Sequence, residues 1–382
     1  MFEKGFLNRS SAKFSIAIDV GSSRVVGALV RKAGGQKPEI WYTSYADIAF
    51  QEQLEIFRYG ENILSALENC LKDLGRHLDG MLPTEAIVTL SSLLYEGKLS
   101  AQSKVFTEDT RVTKALLQSV AGPAEKPVTE ATLEDAIIQV RLNGYPTANP
   151  IGQSARTIDT VSYVSVGDPL VQKRIRETVA HAFRTATVRI HSFSFVAFAV
   201  LRNLILQENF VCIDFGGEIT DIIVVKRGVL EKTISVPFGK NHILREVMRS
   251  MHVSYDIAAS SLKLFHEGNL HQTVREQIQQ ALEVGHQRWD TLFIGTLEHV
   301  TLDSLLPQDV YILGNPALVP IIISYVQAER YNRYVFVGQP FRAHELSNTM
   351  LQSICSAKSQ STVLDPFVVI SSVFSATLIP IV

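Results

Sequence analysis

Cysteine is scarce in this chain. Cys70, Cys212 and Cys355 are the three in 382 residues. An odd number so widely spaced excludes a disulfide framework or a metal knuckle and points to a reducing compartment. Cys212, inside an apolar run, reads as a small buried hydrophobe. Neither sign of charge is in excess, since 36 Lys and Arg stand against 38 Asp and Glu for a formal net charge of −2. No basic stripe alternates with aromatics, so no nucleic-acid partner is expected. Long hydrophobic runs are missing too. The longest apolar tract, residues 367–382, is broken by Ser371, Ser372, Ser375 and Pro380 and falls short of the roughly 20 residues of a spanning helix. The leader, residues 1–13, carries Lys4, Arg9 and Lys13 without an apolar core, which is not the pattern of a signal peptide. With Phe2, Phe6 and Leu7 among those cations it reads as a solvated leader rather than a lipid contact. The ten His residues show no ligand spacing, and His191, His242 and His266 read as packing or surface residues. A cytoplasmic chain, long enough for two lobes with separate cores, is the expectation.

Two matched turns far apart in sequence stand out. Ile18-Asp19-Val20-Gly21-Ser22-Ser23-Arg24 and Ile213-Asp214-Phe215-Gly216-Gly217-Glu218-Ile219-Thr220-Asp221 each bring an apolar strand into an Asp and then a Gly turn. A second apolar run follows each, Val25 to Val30 and Ile222 to Val225, as the returning arm of a hairpin. Glycine lets backbone N–H groups approach an anion, hydroxyls such as Ser22 and Ser23 add donors, and an Asp on each arm can hold the waters of a Mg ion. One Asp-x-Gly by itself is an ordinary hairpin turn. A pair in the same context, followed by the strand-and-turn segment Val310-Tyr311-Ile312-Leu313-Gly314-Asn315-Pro316, points to a shared phosphate cleft.

The pattern between these motifs alternates strands and helices. Strands are expected over 12–31, 39–45, 86–90, 93–101, 137–142, 157–166 and 187–190. Helices are expected over 61–78, around 111–121, from Pro169 behind an Asp168 cap, over 193–206, and over 273–299 with a break at Gly285. Asp365-Pro366 caps a closing apolar helix that runs to the end of the chain.

In this order, over nearly the whole chain, the segments resemble the FtsA and PilM branch of the actin-like ATPase superfamily: the cell-division membrane anchor and its relative in type IV pilus assembly. Ile234 to Ile243 resembles the family's strand, Pro-x-Gly and helix start. Ala259 to Leu264 resembles its Ala-Glu-x-x-Lys helix, and Asn143-Gly144-Tyr145 with Asn149 to Gly152 resembles the exit from its inserted subdomain. The resemblance implies an α/β, actin-like two-lobe fold of duplicated ribonuclease H-like domains with that insert. It implies lobe I over 1–81 and 167–207, the insert over 82–166, and lobe II over 208–253 with a helical subdomain at 254–308. An adenosine-type segment follows at 309–345, and a return to lobe I at 346–382.

The resemblance also implies ATP or ADP with Mg. Asp19 and Asp214 would hold Mg through water. Gly21, Ser22, Ser23, Arg24, Gly216, Gly217, Thr220, Lys263, Gly314 and Asn315 would contact the nucleotide. It implies an FtsZ-like or membrane-anchored division or pilus protein as partner, a homo-oligomer or filament, and recruitment to the inner face of the membrane through a partner.

Departures from the family pattern weigh on activity. Glu218 and Ile219 stand where the family has Gly and Thr, Ser260 where it has a ribose-reaching Glu, and Asn315-Pro316 where it has a Gly-Gly turn. A Glu218 carboxylate about 4 Å from a terminal phosphate would be repelled by roughly 4 kcal/mol per unit charge at an effective dielectric near 20. The expectation is a nucleotide-binding assembly protein with slow or absent hydrolysis, closing over Mg-nucleotide between Asp19 and Asp214; the alternatives are a pseudo-ATPase scaffold of the same fold and, after it, a sugar-kinase-type enzyme, for which no carboxylate base or substrate insert is found.

Overall fold

The first apolar run folds into a meander. β1 (Lys13–Val20), β2 (Arg24–Lys32) and β3 (Glu39–Asp47) pair antiparallel in sequence order. α1 (Ile56–Arg76) turns Tyr59, Ile63, Leu67, Cys70 and Leu74 onto the sheet. It comes so close that a Cβ on Gly27 of β2 would lie 2.7 Å from both Cys70 Sγ and Leu74 Cδ1. The helix begins five residues before the expected start, because Glu55 N donates to Gln51 Oε1 at 2.7 Å and so turns the chain there. β4 (Glu85–Leu90) then pairs parallel to β1. The computed structural model describes residues 13–122, 130–184 and 187–377, so the leader that was read as solvated, apart from Lys13, lies outside the described residues.

A separate antiparallel sheet follows, built of β5 (Tyr95–Arg111), β6 (Thr132–Leu142), β7 (Tyr145–Pro146) and β8 (Ser154–Gly167) in the order β5-β8-β6-β7, with α2 (Lys114–Ala121) beside it. β5 runs ten residues past the expected end at Ala101. Its mostly polar second half, Gln102 to Thr110, lacks apolar alternation and is held to β8 by the ladder at Gln102 to Val105 and at Thr110, with a register shift between. Arg111 ends this strand rather than starting a helix. The far end has its own small core of Val112, Leu117, Val120, Val140, Leu142, Ala155 and Ile158.

α3 (Pro169–Phe183) is capped by Asp168, whose carboxylate accepts from Leu170 N and Val171 N. β9 (Thr187–Ser192) completes the first sheet and leads into α4 (Phe193–Leu204). The second lobe repeats the plan with β10 (Phe210–Phe215), β11 (Thr220–Lys226) and β12 (Val229–Val236). Three helices come next: α5 (Lys240–Met251), α6 (Tyr255–His266) and α7 (Gln272–Val300). β13 (Asp309–Gly314), α8 (Val319–Val326) and β14 (Arg342–Glu345) finish the lobe. α9 (Asn348–Ile354), β15 (Ser356–Ala357) and α10 (Pro366–Ala376) return to lobe I. α10 stops at Ala376, so residues 378–382, expected to lie within it, fall outside the described residues.

α7 is continuous, contrary to the expected break. A Cβ at Gly285 would meet only Ile243 Cγ1, at 3.7 Å, so this glycine is a packing position against α5.

Apart from the short β15, which pairs with β3 at the edge of the first, the two large sheets match strand for strand. β3-β2-β1-β4-β9 and β12-β11-β10-β13-β14 each consist of an antiparallel meander of three with two parallel strands added on the far side of the first. The duplication therefore extends well beyond the two hairpins. α4 is apolar all round and fully buried along Phe193 to Leu201, as a helix between two layers must be. With Val368, Val369 and Ile370 of α10 it forms one continuous core that takes in Ala17 and Val26 from one sheet and Cys212 and Ile223 from the other. Among the described residues no helix is long and apolar enough to cross a membrane.

Candidate functional site

The two glycine turns are built alike. In the first, Gly21 N donates to Arg24 O at 3.0 Å, and in the second Gly216 N donates to Ile219 O at 3.1 Å. A Cβ would stand 2.9 Å from Arg24 O at Gly21 and 2.7 Å from Ile219 O at Gly216, so both turns exclude a side chain for the same reason. Because β1 and β10 occupy equivalent places in facing sheets, the turns meet across a cleft.

That cleft is narrow. Asp19, Gly21, Ser22, Ser23, Arg24, Asp214, Gly216, Gly217, Gly314 and Asn315 all line one cavity, of about 100 Å³. Ten of the twelve expected site residues are thus brought together. The other two are not. Thr220 is wholly buried and its hydroxyl donates to Phe238 O at 2.6 Å, pinning the hairpin to the strand end beside it. Lys263 is exposed on α6 and is not part of the cavity wall.

One N–H group expected to face an anion, that of Gly217, turns to the opposite hairpin instead. Gly217 N and Glu218 N both donate to Ser22 Oγ, at 2.7 and 3.1 Å. A Cβ on Gly217 would collide with Ser23 Cβ and lie 2.8 Å from Ser22 O. Tyr59 OH donates to Ser22 O at 2.8 Å and fixes the turn from behind. Glu218 does not reach the cavity: its carboxylate turns away to Arg245 and Asn241. The repulsion that the sequence left open therefore does not arise in this geometry. Arg24 lines the cavity but pairs with Asp47 at 2.9 Å and lies over the Tyr45 ring.

Acids dominate the wall. Asp19, Asp214, Asp221 and Asp365 all line it. Burial pushes Asp19 up to about 8 against the opposing hydrogen bond from Thr89, with Asp365 adding repulsion. Burial, then Asp221 and Asp19, hold Asp214 well above the usual carboxylate range, and burial raises Asp365 to about 6. Asp221 is raised by burial while Ser235 and Ser92 lower it, each donating to Oδ1 at 2.5 Å. It ties lobe II to the start of the insert. Asp214 Oδ1 has no partner among the described residues.

Sequence reasoning missed Lys240, a cavity-wall cation whose charge is disfavoured first by burial and then by Arg24. Its signal was its place at the first turn of the helix after Pro237-Phe238-Gly239. It also missed the second role of Asp365, read only as a helix cap, and the aromatic floor of Phe193, Phe215 and Phe367.

A nucleotide with Mg would need more room than the cavity of about 100 Å³ offers as the cleft stands. Ligand pockets for drug-sized molecules run to about 300–1,000 Å³. Gly217 N and Glu218 N are taken up by Ser22 Oγ, while Asp19 and Asp214 are the wall carboxyl groups that would hold the waters of a Mg ion. No group of three or more His, Cys, Asp or Glu placed to hold a metal ion occurs among the described residues.

No protein-family model matches the chain. The cell division protein FtsA of Neisseria meningitidis serogroup B is 24% identical to it over 168 residues, which are 42% of this chain and 40% of that protein. The chain thus spans less than half the length of that curated relative. A chain of the PilM-PilN type IV pilus biogenesis complex superposes with a TM-score of 0.58 at 12% identity, over 94% of this chain and 97% of that one. MreB5 of Spiroplasma citri bound to ADP covers 88% of this chain and 93% of that one at a TM-score of 0.43 and 13% identity. Facing duplicated sheets and paired glycine turns define the class: the fold is the actin-like ATPase fold. Within that class the chain is similar to FtsA in sequence over part of its length and to the PilM-PilN complex chain in structure.

Proposed function

We propose that this chain is an actin-fold assembly protein that works by associating with protein partners in a machinery of the FtsA or PilM kind, without turnover of ATP in the state seen here. The observation that carries the reading is the direct bonding of Gly217 N and Glu218 N to Ser22 Oγ. It leaves two N–H groups of the second turn bonded to the first, beside a cavity of about 100 Å³. Similarity to a chain of the PilM-PilN complex, itself a protein assembly, supports the partner class. A membrane-anchored division or pilus protein, or an FtsZ-like one, is the expected partner. Recruitment to the inner membrane face would follow from it, and the four-stranded insert together with α6 and α7 offers surface for such contacts and for a homo-oligomer.

A second reading, nucleotide binding after opening of the cleft, is favoured by one feature: Asp214, whose buried Oδ1 has no partner among the described residues, lines the cavity together with Lys240. One experiment separates the two. A ligand at a hundred times its Kd stabilises the native state by about 2.7 kcal/mol, a shift of a few degrees in Tm for a chain of this size. We expect saturating Mg·ATP and Mg·ADP to leave the melting transition in place while pull-downs recover a division or pilus component. A clear shift with either nucleotide would transfer the conclusion to the second reading.

A further inference from the structure

Behind the cleft the lobes share the α4–α10 core. At its mouth they are joined by polar side chains that association with a partner does not require. Arg245 of α5 donates from Nη1 to Glu218 Oε2 at 2.9 Å and from Nη2 to Glu218 Oε1 at 2.8 Å, a two-pronged pair of fixed geometry. The same guanidinium crosses to lobe I, where Nε and Nη2 donate to the Gln51 carbonyl at 3.2 and 2.7 Å. Its face lies 5.1 Å from the centroid of the Phe50 ring, and Phe50 stacks at 4.5 Å on Tyr255 of α6. Asn241 Nδ2 donates to Glu218 Oε1 at 2.7 Å. Only 11% of the Arg245 side chain and 5% of the Glu218 side chain are exposed, so salt screens the pair far less than one on the surface.

The contact is not fully satisfied. Gln51 Nε2 and Asn241 Oδ1 are buried there without a partner among the described residues. Buried polar groups left unpaired cost stability, and opening the lobes would return both to water. Such a contact suits an element with two arrangements.

We propose that Glu218, Arg245 and the Phe50–Gln51 segment form an interlobe latch that holds the cleft shut with the chain's own side chains, where a bound nucleotide would otherwise bridge the lobes. The latch deepens the association reading and rests on it for the shut cleft. It also gives Glu218 a use at a position where the family has Gly. When the pair parts, lobe II loses its hold on the segment before α1, and the Ser22 hydroxyl loses the registration that lets it meet Gly217 N and Glu218 N.

Hydrogen exchange read by mass spectrometry on the whole protein, with no nucleotide added, tests this. The variants are Glu218→Ala and the double substitution Glu218→Gln with Arg245→Met. The double substitution leaves no buried ion unpaired and guards against simple misfolding. Folded variants should exchange about tenfold faster or more over residues 48–55 and 216–222 while β1, β10 and α4 keep their protection. Arg245→Lys, which keeps the charge but cannot hold Glu218 with two prongs and Gln51 at once, should fall between. Wild-type exchange at those segments in the folded double variant would overturn the latch. So would a uniform loss of protection through both lobes, since the pair would then be only a general stabiliser. A Tm shift of the wild type with Mg·ATP would instead overturn the association reading and leave this comparison valid.

Discussion

Asp19 lies in a wall of carboxyl groups with one neutral partner, Thr89 Oγ1, donating to it at 2.9 Å. Its folded value of about 8 stands above the ordinary 3.8, so the native state holds the proton more tightly than the unfolded chain. The stability this contributes is complete below about pH 4 and is lost as pH rises through about 8. Asp365, raised to about 6, acts with the same sign over a narrower window, and Asp214 adds to it. Each unit of separation corresponds to about 1.4 kcal/mol. The free energy of urea unfolding should therefore fall between pH 6 and pH 8. Asp19→Asn, which cannot ionise and keeps an acceptor for Thr89, should flatten that fall. A wild-type curve that is level or rising in this window would rule out neutral carboxyls in the cleft. At this scale the sequence showed which groups meet, through the two Asp-x-Gly turns, but not what they do. Ser22 could be read as a phosphate donor, yet in the fold its oxygen accepts from the opposite turn. Glu218 could be read as facing the cleft or away from it, and an arginine 27 positions on decided which.

Among the elements, α7 carries a prediction that local propensity alone would not support. Glycine inside a helix costs about 1 kcal/mol relative to alanine. The space at Gly285 admits a methyl group, at 3.7 Å from Ile243 Cγ1. Gly285→Ala should stabilise the protein by about 0.5–1 kcal/mol in urea denaturation; a loss of stability would mean that α5 and α7 pack more tightly than the distance indicates. The continuity of α7 was hidden from the sequence because a lone glycine is an equally good sign of a helix end, and only packing on α5 distinguishes the two. The reverse holds for α3 and α10, whose Asp-Pro starts were legible because capping is a local hydrogen bond. β5 was half legible. Its apolar first turns showed a strand, while Gln102 to Thr110 became one only through pairing with β8.

The molecule as a whole combines one large interlobe core with a satellite. α4 and α10 hold both main sheets in a single apolar cluster, whereas the distal end of the insert rests on seven buried side chains of its own. Its near end is fastened by Glu134, which accepts from Ser192 N at 3.0 Å and Ser192 Oγ at 2.8 Å and pairs with His191 Nδ1 at 3.0 Å. Native-state hydrogen exchange should therefore find residues 112–120 and 140–158 opening at lower free energy than β1, β10 and α4. Simultaneous opening of all of them would mean that the insert and the lobes form one cooperative unit.

Sequence by itself determined the pair of glycine turns, the linking helix and the capped helix starts, while the duplication beyond the two hairpins emerged from the strand order of the sheets. Those sequence-determined features rest on hydrophobic period, backbone freedom or capping within a few residues. Only the tertiary structure decided the state of the cleft. That depends on whether Ser22, Gly217, Glu218, Arg245 and Gln51, drawn from four distant segments, satisfy one another or leave donors for a ligand, and hydrogen-bond partners so far apart in the chain are chosen by the fold.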